Sequence, residues 1–457
     1  MTGVSESRPV EAGVEATTTV EATAKTGSVS EIGAPANADL RNTLVLVVFT
    51  AVTNLADGVT KVVLPLLAVR LTHSPMQVTG VALTLTLPWL LTALHIGAVV
   101  DRLDRRRLVI AANAMRVVAV TGLLIAVAAG KESIPLLYGA GLALGIAEVV
   151  ALTAAAALVP AAVTSAGRDR VNSWMTAAET ACNEFCGPFV GGALVAAGYV
   201  FALTSSSFAY LATLLLPLLL LGRFRPTRSA GATALPGRAE IAAGMRFLWR
   251  SPLLRTMALT LTVLCLCWGA WLGLIPLFVT QESKVGAVAY GLVLSGLGIG
   301  GLAGAVSTVP LNRLFGRRWV MFADLMGTFA MVGVPVVTAN PVALGVSAFL
   351  GGLGGTLWAV NARTLSQQLV PPELMGRFHA AWRLLSWGAL PIGSAIVGGL
   401  AEVVGLRTAF LPFAIATALL VVPFFRVITA EAVAGAEATL TPPQTAAAQS
   451  AAQSGVD

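Results

Sequence analysis

Charge is what this sequence has least of. Of its 457 residues only 11% are Asp, Glu, Lys or Arg, while 56% are hydrophobic; a soluble globular chain carries about 25% charged residues. Histidine occurs three times and cysteine four times, and their spacing makes neither a zinc nor a disulfide pattern. Cys182, Cys186, Cys265 and Cys267 all lie inside apolar stretches, where thiols serve as small packing groups. There is no Gly-x-x-x-x-Gly-Lys-Ser/Thr loop, which argues against ATP as an energy source. There is no catalytic constellation either, so no enzymatic activity, cofactor or metal is expected. A net charge of +7 on a soluble chain would suggest nucleic acid. Here the basic residues sit in short clusters between apolar blocks, so no nucleic-acid partner is expected.

Those blocks are the dominant feature. Each is about 20–28 residues long, and a helix of that length spans a hydrocarbon core of about 30 Å. Mean hydropathy is +0.82. A soluble helical solenoid would need polar faces at helical spacing, and stretches such as Leu211 to Leu221 have none. Twelve blocks predict an all-α membrane protein with twelve transmembrane helices. Residues 1–40 and 429–457 read as disordered tails. Residues 41–222 form a first six-helix half and 252–428 a second. Between them, 223–251 read as a polar linker that ends in a basic amphipathic helix lying on the membrane surface. Arginine and lysine favour one set of connections over the other by about four to one, which predicts both termini and the linker in the cytoplasm.

The halves echo each other. A shift of 211 residues places Arg102 on Arg313 and Asn113 on Asp324, and a shift of 207 places Gly191-Gly192 on Gly398-Gly399. Two six-helix repeats of like topology follow, with the substrate expected between them near mid-membrane.

The stretch Gly97-x-x-x-Asp101-Arg102-x-x-Arg105-Arg106 resembles the loop signature of the major facilitator superfamily, with Asp104 where the common form has Gly. Asp57-Gly58, Leu64-Pro65-Leu66-Leu67, Leu87-Pro88-Trp89, Gly145-Ile-Ala-Glu148 and Gly187-Pro188-Phe-Val-Gly191-Gly192 are similar to the branch of enterobactin exporters and macrolide-efflux-like proteins. The resemblance implies export of small organic compounds, antibiotic, drug or siderophore-like, by proton antiport and alternating access. It implies a small-molecule substrate, protons and the lipid bilayer as partners, and a monomer. An importer or proton symporter of the same fold, or a non-transporting membrane sensor, are the alternatives. Gly97, Asp101, Arg102, Arg105 and Arg106 read as a cytoplasmic gate, or as simple positive-inside anchoring. Gly187, Pro188, Gly191 and Gly192 resemble the glycine–proline motif of antiporters and read as a helix-bending element, or as a packing kink.

An ionisable group in the bilayer core costs roughly 2.5–3.5 kcal/mol on insertion scales, which makes it a functional candidate. Asp57 and Lys61 are one helical turn apart and can pair, with Asn54 joining them. The pair can be structural, or can sense substrate or protons. Glu148, Glu179 and Glu184 are the remaining deep carboxylates of the first half. Each can exchange a proton with the solvent, contact substrate, or hydrogen-bond a helix for packing. Arg116 reads as snorkelling toward the cytoplasmic end, or as paired with a carboxylate of span four or five. Asp324 reads as part of the cytoplasmic gate. Trp268 and Trp271 are the candidate cavity aromatics.

Overall fold

An apolar segment in lipid has no water to bond its peptide groups, so it satisfies them internally as helix. The computed structural model describes residues 36–92, 96, 99–100, 103–164, 167–221, 224 and 238–438, and all regular structure among them is helical. The first half holds α1 (Ala36–Leu71), α2 (Pro75–Leu91), α3 (Arg105–Ala128) and α4 (Ile134–Ala162). α5 is a composite of Arg168–Glu179, a π-helical turn Thr180–Cys186, and Gly187–Ala197. α6 is Tyr199–Leu215, tightening into a 3-10 turn at Leu216–Leu219. The linker helix α7 is Arg238–Arg250. The second half holds α8 (Pro252–Gln281), α9 (Ala287–Phe315), α10 (Arg317–Val337) and α11 (Pro341–Leu369). α12 is built from Pro372–Trp387 and Ala389–Val404, and α13 from Thr408–Phe410, Leu411–Leu419 and Val421–Val427; α14 is Ala430–Ala438. Ten of these rods are long and apolar enough to cross a membrane, and the shorter α2 and the interrupted α5 complete twelve.

Helix starts follow local chemistry. Ser74, Ser251 and Asn340 cap α2, α8 and α11, each accepting from backbone N–H groups of the first turn and each followed by proline. Asp104 caps α3, its Oδ1 accepting from Arg106 N at 3.0 Å and Arg107 N at 3.3 Å. The residue that departs from the common loop signature is therefore a helix cap.

Helix reaches into both stretches that the composition assigns to tails. α1 starts at Ala36, and Asp39 is tied to the backbone N–H of Thr164 at 3.3 Å. At the other end α14 continues to Ala438 and buries Val433 against the second half.

The two ends of the molecule differ. Arg105, Arg106 and Arg107 begin α3 and Arg317 and Arg318 begin α10, marking one basic end. Toward the opposite end a single cluster of buried apolar side chains includes Leu64 and Val78 of the first half and Trp271, Phe278 and Val397 of the second. Toward the basic end each half has its own cluster, around Leu158 in one and around Trp358 and Phe378 in the other. The halves meet along α2–α12 and α5–α9. Gly398 lies against Thr79 and Met76, and Gly192 against Gly291. These small residues let backbones approach closely. On the α5 side the seam reaches only to mid-length, where Gly298 abuts the backbone of Glu184 and Ser295 Oγ donates to Phe185 O at 2.9 Å. Beyond that, Asn172, Ser173, Trp174, Thr176 and Ala177 of α5 are exposed. Among the described residues a cleft between the halves is thus open toward the basic end.

Candidate functional site

The π turn of α5 organises the first half. Pro188 has no N–H to offer Glu184 O, and the Gly187 N–H reaches back to Cys182 O, five residues away. The extra residue per turn turns Asn183 inward, where it is buried, and leaves Glu184 exposed toward the cleft. Gly187 sits directly on Gly58 of α1, where an added Cβ would lie 2.7 Å from the Gly58 Cα, and Gly191 packs on Val59 and Val62. Gly192 faces the second half. The four residues of the glycine–proline motif therefore do two things: they shape the π turn and they set the spacing of α5 to α1 and α9.

Asp57 and Lys61 share a face of α1 but do not pair with each other. Lys61 Nζ donates to Asn183 Oδ1 at 2.8 Å and meets Glu148 Oε1 of α4 at 3.5 Å. Asn183 Nδ2 in turn donates to Asn54 Oδ1 at 2.9 Å, so Asn54 joins Asn183 rather than Asp57. Asp57 binds Arg116 of α3, Nη2 to Oδ2 at 2.7 Å, and accepts the Tyr210 hydroxyl of α6 on Oδ1 at 2.7 Å. The Arg116 guanidinium lies 5.6 Å from the Tyr210 ring centroid, and Asn113 accepts from both Arg116 and Thr213. Arg116 does not snorkel: its side chain is 1% exposed, and its partner comes from span one, not four or five. The sequence could not pair them because contact across α1, α3 and α6 depends on helix packing, not on spacing along the chain.

Two polar clusters therefore lie side by side. The buried one is Asp57–Arg116–Tyr210. The cleft one is Lys61–Asn183–Glu148, with the Lys61 side chain 42% exposed. Among the described residues neither Glu179 nor Glu184 makes a salt bridge or side-chain hydrogen bond. A cavity of about 140 Å³ lined by Thr50, Thr53, Asn54, Asn172 and Glu179 reaches Asp57 and Arg116 from the basic side of α1 and α5. It gives this buried pair a polar approach that passes Glu179.

Gly97, Asp101 and Arg102 of the loop signature lie outside the described residues. Arg105 Nη1 donates to Ala157 O at 3.0 Å and Arg106 Nη2 to Leu218 O at 2.7 Å. Both arginines thus hold helix carbonyls within the first half, a favourable placement for cations. In the second half Asn312 donates to Asn361 at 2.9 Å. Among the described residues Asp324 forms no hydrogen bond or salt bridge with the arginines of the basic end. It is buried between α10 and α11, accepting from Thr328 Oγ1 at 3.3 Å, and Trp268 Nε1 donates to the same Thr328 at 3.3 Å. Trp268 is partly buried with its ring over Gly355. Trp271 is fully buried in the shared apolar core. Trp89 and Trp387 meet across the halves with centroids 5.9 Å apart.

This architecture has close counterparts among known proteins. The profile of the transmembrane secretion effectors, a major facilitator family, matches residues 34–456. The chain belongs to that family. It is 30% identical over 391 residues to the multidrug efflux pump Tap of Mycolicibacterium fortuitum, covering 83% of this chain and 94% of that one. It is 27% identical over 350 residues to the enterobactin exporter EntS of Salmonella choleraesuis, covering 75% and 81%. Among solved structures the nucleoside transporter NupG (D323A mutant) superposes with a TM-score of 0.67 at 13% identity, covering 85% of this chain and all of that one. An inward-facing bacterial homologue of the iron transporter ferroportin gives 0.65 at 18%, covering 85% and 98%. The family member described here is a multi-pass efflux transporter of the major facilitator type, and not an enzyme.

Proposed function

We propose that this transporter exports cationic amphipathic organic compounds in exchange for protons, by rocking its halves about the central cleft. The observation that carries the reading is the charge of the cleft wall. Lys61 is engaged by Glu148 and Asn183, while Glu179 and Glu184 have no salt-bridge partner among the described residues. A wall with surplus carboxylates attracts a cation and accepts a proton at the same atoms, so the two compete and exchange follows. The exposed Trp174 and the Trp89–Trp387 pair, which bridges the halves, supply aromatic surface for an amphipathic cation. In this reading the basic end is cytoplasmic, as the arginine distribution favours, and the cleft is open to the cytoplasm. The gradient is a sufficient drive, since one charge moved through 100 mV is worth about 2.3 kcal/mol. The relatives named as a multidrug efflux pump and an enterobactin exporter support export and leave the compound open.

Inverted membrane vesicles with an acid lumen test it, using ethidium as the probe. Antiport accumulates ethidium in the lumen; Glu179→Gln and Glu184→Gln reduce accumulation by tenfold or more with expression unchanged. Symport would instead drive ethidium out of the acid lumen. Full accumulation by both variants would sink the coupling assignment.

A further inference from the structure

The second half carries a cavity away from the cleft carboxylates. It lies at the basic end, measures about 620 Å³ and is lined by Asn312, Arg313, Phe315, Arg317, Arg318 and Trp319, with α14 as its far wall. Three guanidinium groups line it and no carboxylate does, among the described residues. Arg313 is exposed and forms no hydrogen bond or ion pair among the described residues. Arg318 is fixed in place, with Nη2 donating to Phe425 O at 3.3 Å and its guanidinium 4.8 Å from the Phe425 ring centroid. Its Nε is buried with no acceptor, as is Asn312 Oδ1 with no donor.

The internal repeat sharpens the contrast. In the first half the start of α3 is closed by the Asp104 carboxylate, and its arginines reach out to helix carbonyls. At the matching start of α10 the cap is Gly316, which brings no side chain, and the first turn holds no acid. The positive end of that helix has no acid in its own first turn, and Arg313 beside it has no acidic partner among the described residues. Exposed Leu314, Phe315 and Trp319 flank the opening, the last 54% exposed. Apolar residues and a tryptophan beside arginines are what the boundary between headgroups and acyl chains selects.

We infer that this cavity binds a phosphate-bearing anion, and the flanking apolar rim favours the headgroup of an anionic phospholipid over free phosphate. Arg313 and Arg318 supply donors to the phosphate, Phe315 and Trp319 lie along the acyl chains, and α14 closes the headgroup from the solvent side. The bound lipid would tether the tail helix to the α9–α10 turn.

Native mass spectrometry of the delipidated full chain, titrated with phosphatidylglycerol, phosphatidylcholine or inorganic phosphate, tests the site. Wild type is expected to hold phosphatidylglycerol at least threefold more than phosphatidylcholine. Arg313→Gln should abolish that preference; as Arg313 has no partner in the described fold, the change removes no internal contact. Arg107→Gln, one charge at the matching turn of the first half, should leave it intact. Displacement of the lipid by millimolar phosphate would support the anion site with a soluble occupant. Equal binding of both lipids, unchanged preference in Arg313→Gln, or equal loss in Arg107→Gln would overturn it.

Discussion

Arg116 is the residue whose setting most departs from its sequence context. It lies one hydrogen bond from Asp57 and over the Tyr210 ring, with almost no exposed surface. Breaking a buried pair by removing one partner strands the other charge and costs about 3–5 kcal/mol, whereas replacing both with apolar groups is often neutral. Arg116→Met should therefore lower the melting temperature of the purified protein sharply. Asp57→Leu together with Arg116→Met should recover most of the loss. If the double variant also exports normally, the pair is architectural; if it is stable but inactive, the pair belongs to the transport cycle. Part of this was legible beforehand. The depth of Asp57, Lys61 and Glu148 follows from counting residues along apolar blocks. Their partners do not, since α1 meets α3, α4, α5 and α6 at angles that spacing cannot encode. The i to i+4 rule, sound on an isolated helix, lost to nearby Asn183 and Glu148, which offer Lys61 a better acceptor set than Asp57, itself claimed by Arg116.

At the scale of elements, α5 carries the local feature with most consequence. Its π turn exists because Pro188 withholds a hydrogen-bond donor, and the turn places Asn183 toward Lys61 and Glu184 toward the cleft. Pro188→Ala restores the missing N–H and allows a regular α-helix. That would rotate Asn183 by about 100° off Lys61, the angle of one residue in an α-helix. Unchanged or raised thermal stability with export reduced tenfold or more is expected; unchanged export would show that the turn serves packing alone. The twelve rods were readable from apolar length, and the amphipathic α7 from its arginines. The irregularities were not. Gly-Pro announced a bend in α5, but a kink and a π turn share that signature, and only the backbone decides between them. Trp271 and Trp268 differ by three residues and by one turn of α8. One faces the shared core and the other lies beside the polar Thr328–Asp324 pair, a distinction set by the rotation of α8 against α12.

For the whole molecule, the decisive asymmetry is that the apolar core is continuous at one end and divided at the other. Small residues hold the continuous end shut. An added Cβ at Gly398 would sit 2.0 Å from Thr79 Oγ1 and 3.2 Å from the Met76 Cα. Gly398→Val should wedge this seam apart and shift the population toward the state open at that end. Spin labels in the α1–α2 and α12–α13 connections would register longer distances, and export would fall. Distances that stay as in the wild type would mean that the closure rests elsewhere. The repeat by which residues near 102 and 313 correspond made the two halves visible in sequence, but which end is closed depends on contacts between halves that no single stretch contains.

Glu402 of α12 gives that closure a further property. Its carboxylate accepts from Ser74 Oγ and, at 3.3 Å, from the Met76 backbone N–H, both at the first turn of α2 in the other half. A helix end in one half is thus finished by a side chain from the other. If the halves rock apart as proposed, that turn loses the Glu402 acceptor and must take up water in its place while Ser74 still caps the helix. Losing such an acceptor costs up to about 1 kcal/mol. That is enough to bias the resting state and too little to trap it, so solvents that favour or weaken helix ends should tune the rate at which the transporter turns over.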